Sequence, residues 1–247
     1  MKVSIITVTY NSEKTLPDTI KSVFDQTYTN IEYIVIDADS TDTTKEIVRQ
    51  CDREIKFISE PDDGIQDAYN KGINIATGDV IAILNSDDVY FDNRVIENVV
   101  REFKEKNVDS VYADLIFVKR NNLDKTVRYY DSSYFNPQKF VYGLMPAHPT
   151  FFVKKYIYEK YGVFRTDLKI SADFDLLIRF LYTHKISYSY MQEVLVKMRL
   201  GGVSTTFSSI WINNIEQLQA CRDNDINTNI FKIFLKYPIK ILGFFYK

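Results

Sequence analysis

The sequence has little of what disulfide scaffolds, metal-binding fingers or membrane spans are built from. Its only two cysteines, Cys51 and Cys221, lie far apart with no paired spacing and no Cys/His pattern. That argues against a disulfide framework or a zinc site and suits a reducing cytosol. No stretch of about 18 apolar residues without charges occurs, so no spanning helix is expected. Met1 to Tyr10 carries one lysine and then a β-branched run. It resembles an opening strand more than a signal peptide, and a cytoplasmic location is expected. An excess of charge is missing too: 31 Lys and Arg against 33 Asp and Glu give a formal net charge of −2, which leaves no electrostatic footprint for nucleic acid.

What the sequence does have is alternation. Val3 to Val8 reads as a buried strand, and Leu16, Ile20, Val23 and Phe24 then recur at helical spacing. A strand at Ile31 to Ile36 follows, then a helix from about Thr43 to Gln50 behind the capping candidates Ser40, Thr41 and Asp42, and a short strand at Ile55 to Ile58. Ile65, Ala68, Tyr69, Gly72, Ile73 and Ala76 keep the period of one helix face, and Gly78-Asp79 stops that helix before the apolar strand Val80 to Leu84. Repeated βα units predict an α/β fold with a mostly parallel sheet covered by helices, in which ligands bind beyond the carboxyl ends of the strands. The polar clusters fall at those ends: Asn11-Ser12, Asp37 to Asp42, Glu60 to Gly64 and Asn85 to Asp88.

After about Val118 the alternation fades into a charged loop, Lys119 to Arg128, and an aromatic-rich segment reaching Phe152. Helices are expected from Asp173 to Thr183 and around Ser209 to Ala220. The organisation read from this is a ligand-binding half over residues 1–118, a second half of the same domain over 119–205, and C-terminal helices over 206–247.

The adjacent carboxylates of Asp87 and Asp88, placed after an apolar strand, suit a hard divalent cation, magnesium or manganese. Such an ion completes its shell with water and substrate phosphates, so a diphosphate ligand is its natural companion. An isolated Asp-Asp is also what a solvated turn capping the next helix would show.

The surrounding segments choose between these readings. Thr9-Tyr10-Asn11, Gln26-Thr27, Val35 to Asp42, Asp67 to Gly72, Ala76-Thr77-Gly78-Asp79 and Leu84 to Asp88 come in the order and near the spacing of glycosyltransferase family 2. The likeness is strong from Lys2 to Asp114. It continues more loosely through His148 to Phe152 and Ser171 to Leu176 to Gly201-Gly202-Val203-Ser204. The resemblance implies a GT-A fold, a nucleotide-sugar donor, a divalent metal and an inverting displacement on a glycan or lipid-linked acceptor.

Carried onto this chain, the resemblance gives each matching residue a role. Thr9, Tyr10 and Asn11 match the loop along the nucleoside, and Asp37 with Asp39 the acidic pair at base and ribose. Many relatives have Asp-Asp-Gly-Ser where this chain has Asp37-Ala38-Asp39-Ser40, so either carboxylate could reach the base, and Asp39 could instead cap a helix. Asp67, Asn70 and Lys71 match the nucleotide and phosphate side of the cleft, or else form a solvated helix surface. Asp88 matches the direct metal ligand and Asp87 its partner at ribose or metal-bound water. Asp173 matches the general base, with Asp175 as competitor and helix capping as the alternative role. His148 would touch the diphosphate or metal, or be a hydrogen-bonded structural imidazole. Gly201 to Thr206 matches a loop that closes over the donor.

The last segment, Ile230 to Lys247, has no acidic residue and carries Lys232, Lys236 and Lys240 at i, i+4 and i+8 among large apolar side chains. It reads either as a cationic, amphipathic contact with the inner face of the cytoplasmic membrane, interrupted at Pro238, or as a helix packed on the domain or on another subunit. Two other functions share these features: a catalytically silent nucleotide-sugar-binding scaffold, and a sugar-phosphate nucleotidyltransferase. The latter would show a Gly-rich basic loop near the N-terminus, where this chain has Val8-Thr9-Tyr10-Asn11-Ser12.

Overall fold

The computed structural model describes residues 1–201 and 207–237. The chain opens with β1 (Val3–Thr9), α1 (Leu16–Phe24), β2 (Ile31–Asp37), α2 (Thr44–Arg49), β3 (Lys56–Ser59), α3 (Ile65–Ile75) and β4 (Val80–Ile83), as the alternation predicts. β1 is buried along its whole length, because both faces of the sheet are covered. Ile6, Val8, Ile34, Ile36, Ile81 and Ile83 pack on one face with Ala68, Tyr69 and Ile73 of α3. Val3, Ile5, Val35, Val80 and Ala82 pack on the other with Leu16, Ile20 and Val23 of α1. Two covered faces leave no polar side to alternate with, hence the unbroken apolar runs. Gly72 lets α3 lie close on β1, since a Cβ there would come within 2.5 Å of the Ile6 side chain.

The chain continues through β5 (Val89–Tyr90), α4 (Val95–Lys106), β6 (Ser110–Lys119), β7 (Asn122–Tyr130), β8 (Phe152–Lys154), α5 (Lys155–Tyr161), α6 (Ala172–Leu177), β9 (Tyr188–Arg199), α7 (Phe207–Asp223) and α8 (Ile230–Phe234). One nine-stranded sheet runs β3-β2-β1-β4-β8-β6-β9-β5, with β7 paired to β6. β1 pairs in parallel with β2 and β4, β2 with β3, and β6 with β9. β8 runs antiparallel to both β4 and β6, so strands from either side of residue 118 share one sheet without a seam. The architecture is α/β with helices flanking a mixed, Rossmann-like sheet.

Two expectations change, and one strand had gone unread. The charged segment Lys119 to Arg128 is not a loop but the tip and outer strand of a β-hairpin, β6 to β7. β7 has no covered face, so it shows no apolar alternation; pairing with β6 holds it, aided by the Arg128 guanidinium 4.0 Å over the Phe117 ring. Strand β9 had no sequence signature because its pairing with β6 shifts register around Asp114, which breaks the period of two. The lysine stripe fails at its middle: Lys236 is only 1% exposed, and its ammonium donates to Gln217 Oε1. Lys240, Lys247 and Pro238 lie outside the described residues, as does Gly202 to Thr206, the expected closing loop.

The helix expected over Asp173 to Thr183 is α6, prolonged by a wider π-helical turn, Ile178–Thr183. α7 packs on α6, and α8 on the short turn Pro137–Tyr142.

Candidate active site

The loops after β1, β2 and β4 are tied into one rim. Asn11 donates its backbone N–H to Ser40 Oγ at 2.8 Å, and its Oδ1 accepts from Thr41 N at 2.8 Å. Ser12 donates to Thr44 Oγ1 at 2.8 Å, and its hydroxyl lies 2.9 Å from that of Ser86. Two rim residues, Asn11 and Asp39, take left-handed backbone angles, φ 48° and 55°. Asn and Asp tolerate that region better than other side chains. Asp39 thus takes a backbone conformation that glycine adopts freely.

The two acids of that loop differ. Asp37 is completely buried, and its carboxylate accepts from Ser40 N at 3.0 Å, from the Ser40 hydroxyl, and from Ser59 Oγ at 2.7 Å. It shapes the loop from inside. Asp39 is exposed, with Oδ1 2.9 Å from Lys45 Nζ. It caps no helix, because α2 starts at Thr44 and Asp42 Oδ1 accepts the Thr44 N–H at 3.0 Å. Tyr10 stands out from the rim, 61% exposed, and the buried hydroxyl of Thr9 has no hydrogen-bond partner.

On α3, Lys71 pairs with Glu60 at 2.9 Å and with Asp67 at 3.1 Å, and donates to Pro61 O at 3.0 Å. Asn70 is bonded to the main chain. Its amide closes a reciprocal pair with the main chain of Phe164, 2.9 Å in each direction, clamping α3 to the segment that leads to α6.

At the end of β4 the expectation of an exposed metal ligand changes. Asp88 is fully buried. Its Oδ1 accepts from Arg199 N at 3.3 Å, while Oδ2 has no hydrogen-bond partner. Burial, reinforced by the neighbouring charge of Asp87, pushes its carboxyl well above the ordinary range. Burial raises Asp87 as well, against the lowering pull of Arg199 and Arg120. An unpartnered buried carboxylate oxygen beside a second carboxylate fits a hard divalent cation, whose charge would reverse both shifts. Among the described residues no group of three or more His, Cys, Asp or Glu is arranged to hold a metal.

Arg199, which sequence reasoning missed, holds this turn in place. Its guanidinium donates to Asp87 O at 2.6 Å and to Arg120 O at 3.1 Å, and forms an ion pair with Asp18. Its only sequence signal is a lone arginine just before Leu200-Gly201, and its partners are too far along the chain to be read from it.

Opposite lies the start of α6. Asp173 Oδ1 accepts from Phe174 N at 2.7 Å. Asp175 is fully buried and committed to scaffold: Arg179 Nε at 2.8 Å, Arg165 Nη1 at 3.5 Å and Asn224 Nδ2 at 3.3 Å. The hydroxyl of Tyr69 donates to Asn85 Oδ1 at 2.6 Å. Burial pushes it up, and so do the charges of Asp173, Asp88 and Asp87. His148 meets the Phe164 ring edge to face at 5.9 Å, and both its ring nitrogens are shielded without a hydrogen-bond partner, unlike the hydrogen-bonded imidazole that was one expectation. Burial lowers its pKa against the opposing pull of Asp173.

Residues 4–162 match the family described as Glycosyl transferase family 2. The chain is 28% identical over 226 residues to an uncharacterized glycosyltransferase of Rickettsia typhi, covering 88% of this chain and 69% of that protein. It is 34% identical over 123 residues to the Escherichia coli UDP-Glc:alpha-D-GlcNAc-diphosphoundecaprenol beta-1,3-glucosyltransferase WfgD, covering 49% of this chain and 48% of that one. The fold matches S. aureus TarS 1-349 in complex with UDP-GlcNAc at TM-score 0.69 and 17% identity, over 92% of this chain and 68% of that one. It also matches the mannosyltransferase PcManGT of Pyrobaculum calidifontis in complex with GDP-Man and Mn2+, at TM-score 0.67 and 19% identity, over 94% and 67%. Against a longer TarS structure the chain spans 39% of the length. With the fold shared and the family's signature covering more than half of its length, the chain belongs to glycosyltransferase family 2.

Proposed function

We propose that this chain transfers a sugar, with inversion and with the help of a divalent cation, from a nucleoside diphosphate sugar to a hydroxyl of a lipid-linked or polysaccharide acceptor. The observations that carry this reading are the family match over residues 4–162 and the adjacent carboxylates of Asp87 and Asp88 after β4, with one buried Asp88 oxygen unpartnered. A silent binding scaffold would hold the same cation and nucleotide, so release of nucleoside diphosphate, not binding, separates the two.

The acceptor oxygen attacks the anomeric carbon as the bond from that carbon to the diphosphate oxygen breaks, and the bonding pair leaves with the nucleoside diphosphate. Asp173 takes the acceptor proton, a contribution of ~10²–10⁴-fold for a positioned base. Asp87 and Asp88 would hold the cation, which when bound stabilises charge on the departing diphosphate. Arg199 keeps the turn carrying both carboxylates in register. Asp39, Tyr10 and Asn11 would meet the nucleoside, with Asp37 acting through the loop it braces.

Calorimetric titration of UDP and GDP with and without manganese tests the reading. Binding of one of them that strengthens with manganese is expected, together with release of nucleoside diphosphate from UDP-glucose, UDP-N-acetylglucosamine or GDP-mannose. Absence of both would sink it.

A membrane-bound acceptor is supported by a different surface from the lysine stripe. Trp211 and Ile215 of α7, Phe231 of α8 and Leu235 just after it are 58%, 44%, 82% and 51% exposed, and the Trp211 and Phe234 rings lie 6.3 Å apart. Exposed aromatic groups flanked by the exposed Lys232 suit a lipid interface at the cytoplasmic face. No described helix is long and apolar enough to cross a membrane. Trp211→Glu with Phe231→Glu should reduce flotation with anionic liposomes several-fold; equal flotation would reject this surface.

A further inference from the structure

We propose that Glu216 of α7 is the positioning residue for Asp173, an inference that rests on reading Asp173 as the base. Glu216 is buried, and its carboxylate gathers three consecutive backbone N–H groups of the loop entering α6. Lys169 donates to Oε1 at 2.9 Å, and Ile170 and Ser171 donate to Oε2 at 2.8 Å each. Convergent amides on one ionised carboxylate form a strong, directional anchor. The Ser171 hydroxyl adds a bond to Asn213 O at 3.2 Å, one turn away on the same helix. From the opposite side Gln66 of α3 donates its side-chain amide to Lys169 O at 2.9 Å. The loop is therefore pinned between a helix of the opening half and a helix of the C-terminal extension.

The consequence falls on Asp173, two residues after the last anchored amide. α6 is only six residues long before its backbone widens into the π-helical turn, so little regular helix fixes where it starts. The anchored loop does that instead. Asp175 then locks the far side of the same turn to Arg165 and Arg179, leaving Asp173 as the other acid of the first turn of α6, placed by this frame. Glu216 touches no substrate in this scheme and acts only through the placement of Asp173. In Glu216→Gln one acceptor oxygen is replaced by an amide donor facing an N–H, which releases part of the loop. Displacements of about 1 Å at a reacting group can cost up to ~10²-fold in rate.

A double-mutant cycle tests this. Release of nucleoside diphosphate from UDP-glucose, UDP-N-acetylglucosamine and GDP-mannose in manganese is measured for the unaltered protein, Glu216→Gln, Asp173→Asn and the double variant. UDP and GDP affinity and thermal melting are followed alongside. Glu216→Gln should lower turnover by about tenfold or more with nucleotide affinity unchanged, and should cost nothing further in the Asp173→Asn background. Hydrogen exchange of the 169–171 amides should quicken in Glu216→Gln. The same fold-loss in both backgrounds, or normal turnover by Glu216→Gln, would overturn the positioning role while leaving the base assignment intact. Normal turnover by Asp173→Asn would overturn the base assignment itself, and no turnover by the unaltered protein would overturn both. If Glu216→Gln does not fold, Gln66→Met, which removes the opposite anchor, goes through the same cycle with the same expectation and the same disproof.

Discussion

The end of β4 and the start of α6 each bring two acids to the cleft, and each pair has one member fully shielded from solvent. Asp175 has partners for both oxygens, in Arg179, Arg165 and Asn224. Asp88 has one backbone N–H for one oxygen and no hydrogen bond for the other. Burial without hydrogen bonds is costly for a charged group and persists where something else compensates it. The difference teaches that in this cleft burial does not separate scaffold from site, whereas the tally of partners does. A satisfied buried acid holds the fold together, and the unsatisfied one beside a second carboxylate is the one we propose is kept for a ligand.

The comparison breaks most visibly at Asp175. Asp175→Ala removes the acid that both arginines share, and breaking such a buried pair costs roughly 3–5 kcal/mol. For a chain of this size that lowers the melting temperature on the order of 10 °C. Thermal unfolding in EDTA, which removes any contribution from a bound cation, measures it directly. A melting temperature within a degree or two of the unaltered protein would show that the satisfied acid is not scaffold.

Asp88 sharpens the contrast from the other side. Asp88→Asn takes away a charge that burial and Asp87 disfavour and keeps the acceptor for Arg199 N. Its stability in EDTA should stay within about 1 kcal/mol of the unaltered protein. A loss as large as that of Asp175→Ala would erase the distinction between the two acids.

Much of this was legible in the sequence, for physical reasons that also explain the gaps. β1, β2 and β4 could be read because a sheet covered on both faces forces unbroken apolar runs, and the α3 face because Ala68, Tyr69 and Ile73 pack on it. The hairpin strand β7 and the bulged β9 could not, because an uncovered strand and a register shift both erase periodicity. The acids could be placed on strand ends and helix starts, yet which of each pair is satisfied depends on groups far away. Arg199 reaches back to Asp18, Asn224 to Asp175, and Glu216 to Lys169. Asp37 and Asp39 show the same limit: two acids one residue apart, one braced by Ser40 and Ser59, the other turned to solvent beside Lys45. Residue type announces that a carboxylate is present; only the fold assigns its partners.

The most direct test is the manganese dependence of nucleotide affinity in Asp88→Asn, titrated calorimetrically with whichever of UDP and GDP binds the unaltered protein. Manganese should strengthen binding to the unaltered protein and no longer do so in Asp88→Asn, whose melting temperature in EDTA should be little changed. A variant that binds the nucleotide with the same manganese-dependent gain would contradict it, since the unpartnered oxygen of Asp88 would then serve no ligand at all.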